Sequence, residues 1–378
     1  MSQRILILSD INSSHTQKWV LSLADKGFEI GVFSLSKANK DWFSGKINIF
    51  VFETKAFEKN IFRAATFSKL SYLRAIPALK KTIRDFKPDI VHAHYATSYG
   101  LLGTLSGFHP FIISVWGSDV FDFPKKSFFH KVFLKNNFSK ADILLSTSRI
   151  MAEEIKKYTS KKITVTPFGV DLTIFKPDST QNKINQNRIV IGTVKSLETK
   201  YGINFLISAF AILKERYSNL ALQLLIVGSG SREAELKEMV LNLKIEKVSQ
   251  FTGFIDHSEI VVYQNMLSIA VFPSVLDSES FGVSVLEAAA CGKPVVVSNV
   301  GGLPEVIENG ITGIIVPPKD SIALANALEK LILDEDLRVN MGKQGRIRVQ
   351  RLYDWNENVQ QMTEIYQNII SINQNELP

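Results

Sequence analysis

Glu279-Ser280-Phe281-Gly282-Val283-Ser284-Val285-Leu286-Glu287-Ala288-Ala289-Ala290-Cys291-Gly292-Lys293-Pro294-Val295-Val296-Val297 reads as a tight glycine turn, a short apolar helix and a buried strand. Residues 269–272 before it and 295–297 after it are continuous apolar runs, the composition of strands buried on both faces. Phe281, Gly282 and Val283 therefore place backbone N–H groups at a helix N-terminus, where anionic oxygens bind. Glu287 lies inside the helix among apolar neighbours, which predicts a half-buried carboxylate in need of a partner. Glu279 stands just before the turn. A phosphorylated ligand docked between them would offer its hydroxyls to two ionised acceptors, a geometry that suits a nucleotide sugar. Taken alone, two glutamates at this spacing read far more readily as a surface loop residue and a solvated helix residue, and it is the apolar neighbours of Glu287 that turn the reading toward a site.

Working outward, residues 5–8, 30–35, 49–52, 90–92, 111–115, 143–145 and 163–165 read as strands separated by helix-period segments. This is the pattern of a parallel sheet covered by crossover helices. Thr166-Pro167-Phe168-Gly169-Val170-Asp171, then Phe175-Lys176-Pro177 and a polar run over residues 178–188, interrupt it. The alternation restarts at residues 189–191 and continues through 222–227, 248–252, 269–272, 295–297 and 314–316. A chain of 378 residues is too long for one core. The predicted organisation is α/β with two domains, residues 1–170 and 171–355, and a last helix over residues 356–378 that packs back on the first domain.

A single cysteine, Cys291, precludes an internal disulfide, and Met1-Ser2-Gln3-Arg4 runs straight into a strand without a leader pattern. No apolar run reaches the length of a spanning helix, so the expectation is a cytoplasmic protein with at most peripheral membrane contact. Charge is unevenly divided. Residues 1–172 carry 25 Lys+Arg against 14 Asp+Glu, and residues 173–378 carry 19 against 23. Residues 55–87 hold nine basic side chains interleaved with Phe57, Phe62, Phe67, Tyr72 and Leu73, which resembles an interfacial helix. Residues 121–140 combine Phe121, Phe123, Phe128, Phe129, Phe133 and Phe138 with Lys125, Lys126, Lys131 and Lys135. That stretch fits an amphipathic helix packing its phenylalanines on the core equally well. No zinc spacing, recognition helix or ribonucleoprotein signature accompanies the basic half, so nucleic acid is not the expected partner.

Several motifs occur in order: Phe168-Gly169-Val170-Asp171 with Phe175 and Pro177, Lys200-Tyr201-Gly202 before a helix, Val227-Gly228-Ser229-Gly230, and Pro273-Ser274 leading into Glu279-Ser280-Phe281-Gly282. Gly301-Gly302-Leu303-Pro304-Glu305 and Gly313 complete the series. Together they resemble the retaining GT-B glycosyltransferases of family four, the glycosyl transferases group 1, over roughly residues 160–320. The resemblance implies two Rossmann-like parallel-sheet domains facing across a cleft, the second binding a nucleotide sugar and the first an acceptor. It assigns Glu287 to the donor ribose, Glu279 to hydroxyls of the transferred sugar, and the amides around Phe281, Gly282 and Val283 to the diphosphate or the sugar. A basic pair neutralises the leaving diphosphate. Lys200 is one member, and the other is Lys195 or Ser196, with Lys195 the better chemical match because a cation stabilises the departing charge. Gly228 and Gly230 would line a base or ribose wall, although a Gly-x-Gly by itself marks only a tight strand-to-helix turn.

The first half departs from the family. Ser9-Asp10-Ile11-Asn12-Ser13-Ser14-His15 replaces the usual Gly-Gly loop, and Trp116-Gly117-Ser118-Asp119 has tryptophan where many relatives carry histidine. Tryptophan accepts no proton but can stack on a sugar face. His15, His94, Trp116 and Asp119 are the candidate acceptor residues, with Asp119 placed either on the acceptor hydroxyl or as the cap of the next helix. His92 alternates into its strand as a core histidine. No metal site is legible, and Asp334-Glu335-Asp336 reads as a capped helix start. The implied activity is metal-independent hexosyl transfer, with anomeric configuration retained, to a lipid-linked saccharide of cell-surface polysaccharide (lipopolysaccharide, O-antigen or capsule) at an anionic membrane surface. Catalysis then falls to Lys200, Glu279 and Asp119. A soluble small-molecule acceptor and a non-catalytic nucleotide-sugar-binding scaffold are the alternatives. A Rossmann oxidoreductase is disfavoured because Gly228-Ser229-Gly230 lacks the third glycine.

Overall fold

The computed structural model describes residues 2–54, 72–178 and 188–375. They form two compact units, one drawn from Met1–Thr166 with Asn358–Pro378 and the other from Pro167–Glu357.

The first unit holds β1 (Arg4–Leu8), β2 (Glu29–Ser34), β3 (Ile49–Glu53), β4 (Ile90–His94), β5 (Phe111–Val115), β6 (Ile143–Ser146) and β7 (Ile163–Val165). They pair in parallel in the order β3-β2-β1-β4-β5-β6-β7. All five residues of β4 and all five of β5 are buried, which is why β5 reads as an unbroken apolar or small-residue run, while β4 carries two buried histidines, His92 and His94. The second unit holds β8 (Ile189–Val194), β9 (Leu222–Val227), β10 (Ser249–Phe251), β11 (Ile269–Phe272), β12 (Val295–Ser298) and β13 (Gly313–Val316). Their order is β10-β9-β8-β11-β12-β13, again parallel. β10 is shorter than the strand predicted at residues 248–252. As an edge strand it pairs only with β9, and Val248 belongs to a 3-10 turn.

In each sheet the strand order reverses once, between β1 and β4 and between β8 and β11. Loops leaving the carboxyl ends of strands at such a reversal diverge and leave a crevice where α/β sheets bind ligands. The loops after β1 and β4, and those after β8 and β11, are therefore where function is expected.

Helix starts follow local chemistry. Ser13 caps Ser14–Asp25 by accepting from Thr16 N, and Asp320 caps Ser321–Leu333 by accepting from Ile322 N and Ala323 N. Asp334 accepts from Leu337 N at 2.8 Å, so Asp334-Glu335-Asp336 opens the helix Glu335–Leu352. The last helix, Trp355–Asn375, buries Val359, Met362, Tyr366, Ile369 and Ile370. Its Tyr366 hydroxyl bonds His92 Nδ1 at 2.6 Å, while His92 Nε2 meets Ser114 Oγ at 2.7 Å. His92 is thus a satisfied core histidine, and burial pushes its pKa down to about 3. Of the basic stretch at residues 55–87, residues 55–71 lie outside the described residues. Its remainder ends in the helix Ile76–Phe86. Among the described residues no helix is long and apolar enough to cross a membrane.

Candidate functional site

In the second unit, Lys195 follows directly from β8, and Glu279 lies in the loop after β11, so the strand reversal sets them side by side. Lys195 Nζ meets Glu279 Oε1 at 2.9 Å, and Lys200 Nζ lies 3.9 Å from Oε2. Lys200 sits on a 3-10 turn, Thr199–Tyr201, and also donates to the Ser278 carbonyl at 2.8 Å. The Glu279 side chain is only 7% exposed and that of Lys195 15%. Burial works against the Lys195 ammonium, but the Glu279 carboxylate, followed by Tyr201 and Glu287, leaves its pKa raised overall. The Tyr201 ring lies under both cations, with Lys195 Nζ 4.5 Å and Lys200 Nζ 5.3 Å from its centroid.

Gly282, at φ 94°, opens the helix Val283–Ala290, whose N-terminus no side chain caps. Phe281 is buried and wedged between Phe168 and Tyr353, at ring separations of 6.1 and 5.7 Å, which fixes the turn. Glu287 is 4% exposed, so the half-buried carboxylate expected from its neighbours is in fact a buried one. Its helix neighbours Val285, Leu286, Ala288, Ala289 and Ala290 are buried with it. Its oxygen Oε1 lies 3.3 Å from His257 Nε2. His257 comes from the turn after β10 and is backed by the Phe175 ring at 6.0 Å.

Glycines hold these loops together by backbone contact. A Cβ at Gly228 would collide with the Lys195 carbonyl oxygen, and one at Gly230 with that of Leu197. A Cβ at Gly301 would strike the Glu279 carbonyl, and one at Gly302 the Ser280 carbonyl. Gly228 and Gly230 are therefore the floor on which the Lys195 loop rests. Gly301 and Gly302 do the same for the Glu279 loop.

In the first unit, His15, His94 and Trp116 gather their rings. His94 and Trp116 are 4.5 Å apart at 34°, and His15 stands edge-on to Trp116 at 5.9 Å. His94 is buried, and its Nδ1 has no hydrogen-bond partner among the described residues. Burial, with His92 and His15 adding, holds its pKa well below the ordinary histidine value, so the ring is neutral at pH 7. Asp119 is 1% exposed. Its carboxylate accepts from Ala96 N at 2.8 Å, Gly117 N at 2.7 Å and Trp116 N at 3.3 Å, tying the loop after β4 to the loop after β5. Burial outweighs these bonds and raises its pKa to about 6. Among the described residues no group of three or more His, Cys, Asp or Glu side chains is arranged to hold a metal ion.

Residues 175–348 match the family profile of the glycosyl transferases group 1, and residues 4–148 that of the glycosyl transferase 4-like proteins. The chain belongs to the group 1 glycosyltransferases. A D-inositol 3-phosphate glycosyltransferase of Pseudarthrobacter chlorophenolicus is 33% identical over 219 residues, covering 56% of this chain and 52% of the relative. The chain spans about half the length of the curated D-inositol 3-phosphate glycosyltransferases it matches. Sucrose-phosphate synthase from Thermosynechococcus elongatus, 22% identical, superposes with a TM-score of 0.84 over 98% of this chain and 100% of its own. Anabaena HepE, solved in complex with UDP-glucose, is 20% identical, with a TM-score of 0.79 over 97% of this chain and 99% of its own. These likenesses show a GT-B fold.

In this group 1 glycosyltransferase, Lys195, Lys200, Glu279 and the Phe281-Gly282-Val283 turn belong to one cluster, with Glu287 close enough to act electrostatically on Lys195. Ser196 forms no part of that ion-pair cluster. His15, His94, Trp116 and Asp119 form a second cluster in the first unit. His257 and the cation-bearing face of Tyr201 were not foreseen as site features. No local motif flags His257, which reaches Glu287 from 30 positions away.

Proposed function

We propose that this chain transfers a hexosyl group from a nucleoside diphosphate sugar to an acceptor hydroxyl with retention of anomeric configuration. The observation that carries the proposal is the Lys195–Glu279–Lys200 cluster, two cations at the strand reversal beside an uncapped helix N-terminus. Lys195, Lys200 and the amides at Phe281, Gly282 and Val283 take the diphosphate. Glu287, oriented by His257, accepts from the ribose hydroxyls, and Glu279 from hydroxyls of the transferred sugar. Until a donor arrives, Glu279 keeps the buried Lys195 charged.

In the step itself the sugar C1–O bond to the diphosphate breaks and a bond to the acceptor oxygen forms on the same face. The acceptor proton passes to the departing phosphate oxygen, so no enzymic nucleophile is needed. Lys195 and Lys200 stabilise the charge that develops on the leaving group. The Trp116 and His15 rings, backed by the buried neutral ring of His94, offer a stacking surface for the acceptor sugar, and Asp119 positions that surface through the Trp116 amide.

The acceptor proposed is a lipid-linked saccharide of cell-surface polysaccharide synthesis, met at the cytoplasmic face of a membrane. The excess of Lys and Arg in residues 1–172 supports it. A soluble phosphorylated acceptor is the second reading, favoured by the named inositol 3-phosphate relative and by sucrose-phosphate synthase. Thermal unfolding of the purified chain against UDP-, GDP- and ADP-sugars tests the donor assignment, since a specific donor raises the transition temperature. Transfer from the stabilising donor to lipid-linked or to phosphorylated acceptors then separates the two readings. A chain stabilised by no nucleotide sugar would sink the proposal.

A further inference from the structure

The helix Phe128–Lys140 packs one face on the core, and its first two turns carry a second group of apolar side chains on the outer side. Leu134 and Phe138 are fully buried, together with Phe121 and Phe123 from the segment before the helix. Phe128 and Phe129, in its first turn, are 74% and 80% exposed, and Val132 one turn on is 48% exposed. Ser127 caps the helix by accepting from His130 N, so the two phenylalanines are held outward on a formed turn. Lys125 and Lys126 before the helix and Lys131, Lys135 and Lys140 along it are all exposed. From Phe123 to Ala141 the chain contains no Asp or Glu.

Folding gives no reason to expose two adjacent phenylalanines and a valine on a helix flanked by lysines, and an exposed apolar patch of this kind marks a contact site. Aromatic rings at the acyl boundary with lysine ammonium groups at the headgroups is the arrangement of an interfacial helix. We infer that the solvent face of the helix Phe128–Lys140, with the lysines of the preceding turn, docks this protein on an anionic lipid bilayer. The inference deepens the proposal of a lipid-linked acceptor and rests on it for its purpose, although its readout is binding alone.

The test is co-sedimentation of the full chain with vesicles of phosphatidylcholine, and with vesicles of roughly three parts phosphatidylcholine to one part phosphatidylglycerol. The native protein should sediment with the anionic vesicles, bind the neutral ones far more weakly, and be released by salt. Phe128→Ser with Phe129→Ser should lower the partition coefficient at least about tenfold. Each of Lys125→Gln and Lys131→Gln should lower it about fivefold. Thermal stability and the shift given by a stabilising nucleotide sugar should not change, because these side chains cover no core. Native protein left in the supernatant, equal binding to both vesicle types, or a double serine variant within about twofold of the native partition would overturn the inference. Those outcomes leave the donor assignment standing if nucleotide sugars still stabilise the chain, so the two failures are distinguishable.

Discussion

Replacing Glu279 by glutamine keeps the shape of the side chain and removes its charge. Lys195, with 15% of its side chain exposed, then loses the carboxylate 2.9 Å away that keeps it ionised. Removing one partner of a buried pair costs about 3–5 kcal/mol, because the other charge is left uncompensated. Lys200, 3.9 Å away and 30% exposed, adds little. The glutamine carbonyl still accepts a hydrogen bond from Lys195, which recovers about 1 kcal/mol. The net loss is about 2–4 kcal/mol, or a fall in transition temperature of about 5–15 °C for a unit of this size. Function should split in sign. Glu279 competes with a diphosphate for the two ammonium groups, so the variant should bind UDP at least as tightly as the native protein. Transfer from UDP-glucose, if that is the stabilising donor, should fall on the order of 10- to 100-fold, because a neutral amide oxygen accepts from the sugar hydroxyls more weakly than a carboxylate does. Scanning calorimetry with and without UDP, and release of UDP with time, measure both halves. A transition within about 2 °C of native, or UDP affinity falling as far as turnover, would refute the reasoning.

Three further outcomes follow from the same geometry. Gly301→Ala, with φ 50° and its new Cβ against the Glu279 carbonyl, should cost more than about 3 kcal/mol by thermal unfolding, whereas Gly310→Ala, at φ 81° with open space around it, should cost about 1 kcal/mol. Glu287→Ala should lower kcat/KM for the donor about 100-fold, while His257→Ala, whose side chain is 57% exposed, should raise the donor KM only about threefold and leave kcat intact. Asp119 binds its proton more tightly folded than unfolded, so its ionisation opposes folding. Its contribution should rise as pH falls through about 6 toward 4, by up to about 3 kcal/mol, and be absent from Asp119→Asn when urea unfolding is compared across that range.

The fold was legible because its central strands are buried on both faces, so that runs such as Phe111-Ile112-Ile113-Ser114-Val115 carry no alternation to confuse with a helix period. The edge strand β10 was the least legible, since one-sided pairing leaves little hydrophobic signature. Within the site, the Glu279–Glu287 stretch and Lys195 were legible from residue type and strand-end position. The contacts that set their electrostatics were not. Tyr201 reads as an ordinary helix-flanking residue until the turn folds it under two lysines, and His257 has no signal apart from its tertiary neighbour. Asp119 shows the converse. Its type and position invite a role on substrate, yet three backbone amides already occupy its carboxylate, and only the meeting of two loops reveals that. Glycine motifs were recognised as turns, whereas their collisions with carbonyls of distant loops depend on long-range packing.

The His92–Tyr366 bond spans 274 positions, and it has a consequence for biosynthesis. When β7 leaves the ribosome, every strand of the first sheet has been made, but Val359, Met362, Tyr366, Ile369 and Ile370 have not. The sheet must wait with that part of its core open and His92 facing solvent or a substitute partner. Roughly 190 residues separate the two events, which at ordinary elongation rates is about 10–40 s. Meanwhile the second unit is contiguous in sequence and can close on itself. The earliest-translated half of the molecule is thus the last to be sealed, and its exposure to aggregation and to chaperones is set by the elongation rate through its neighbour.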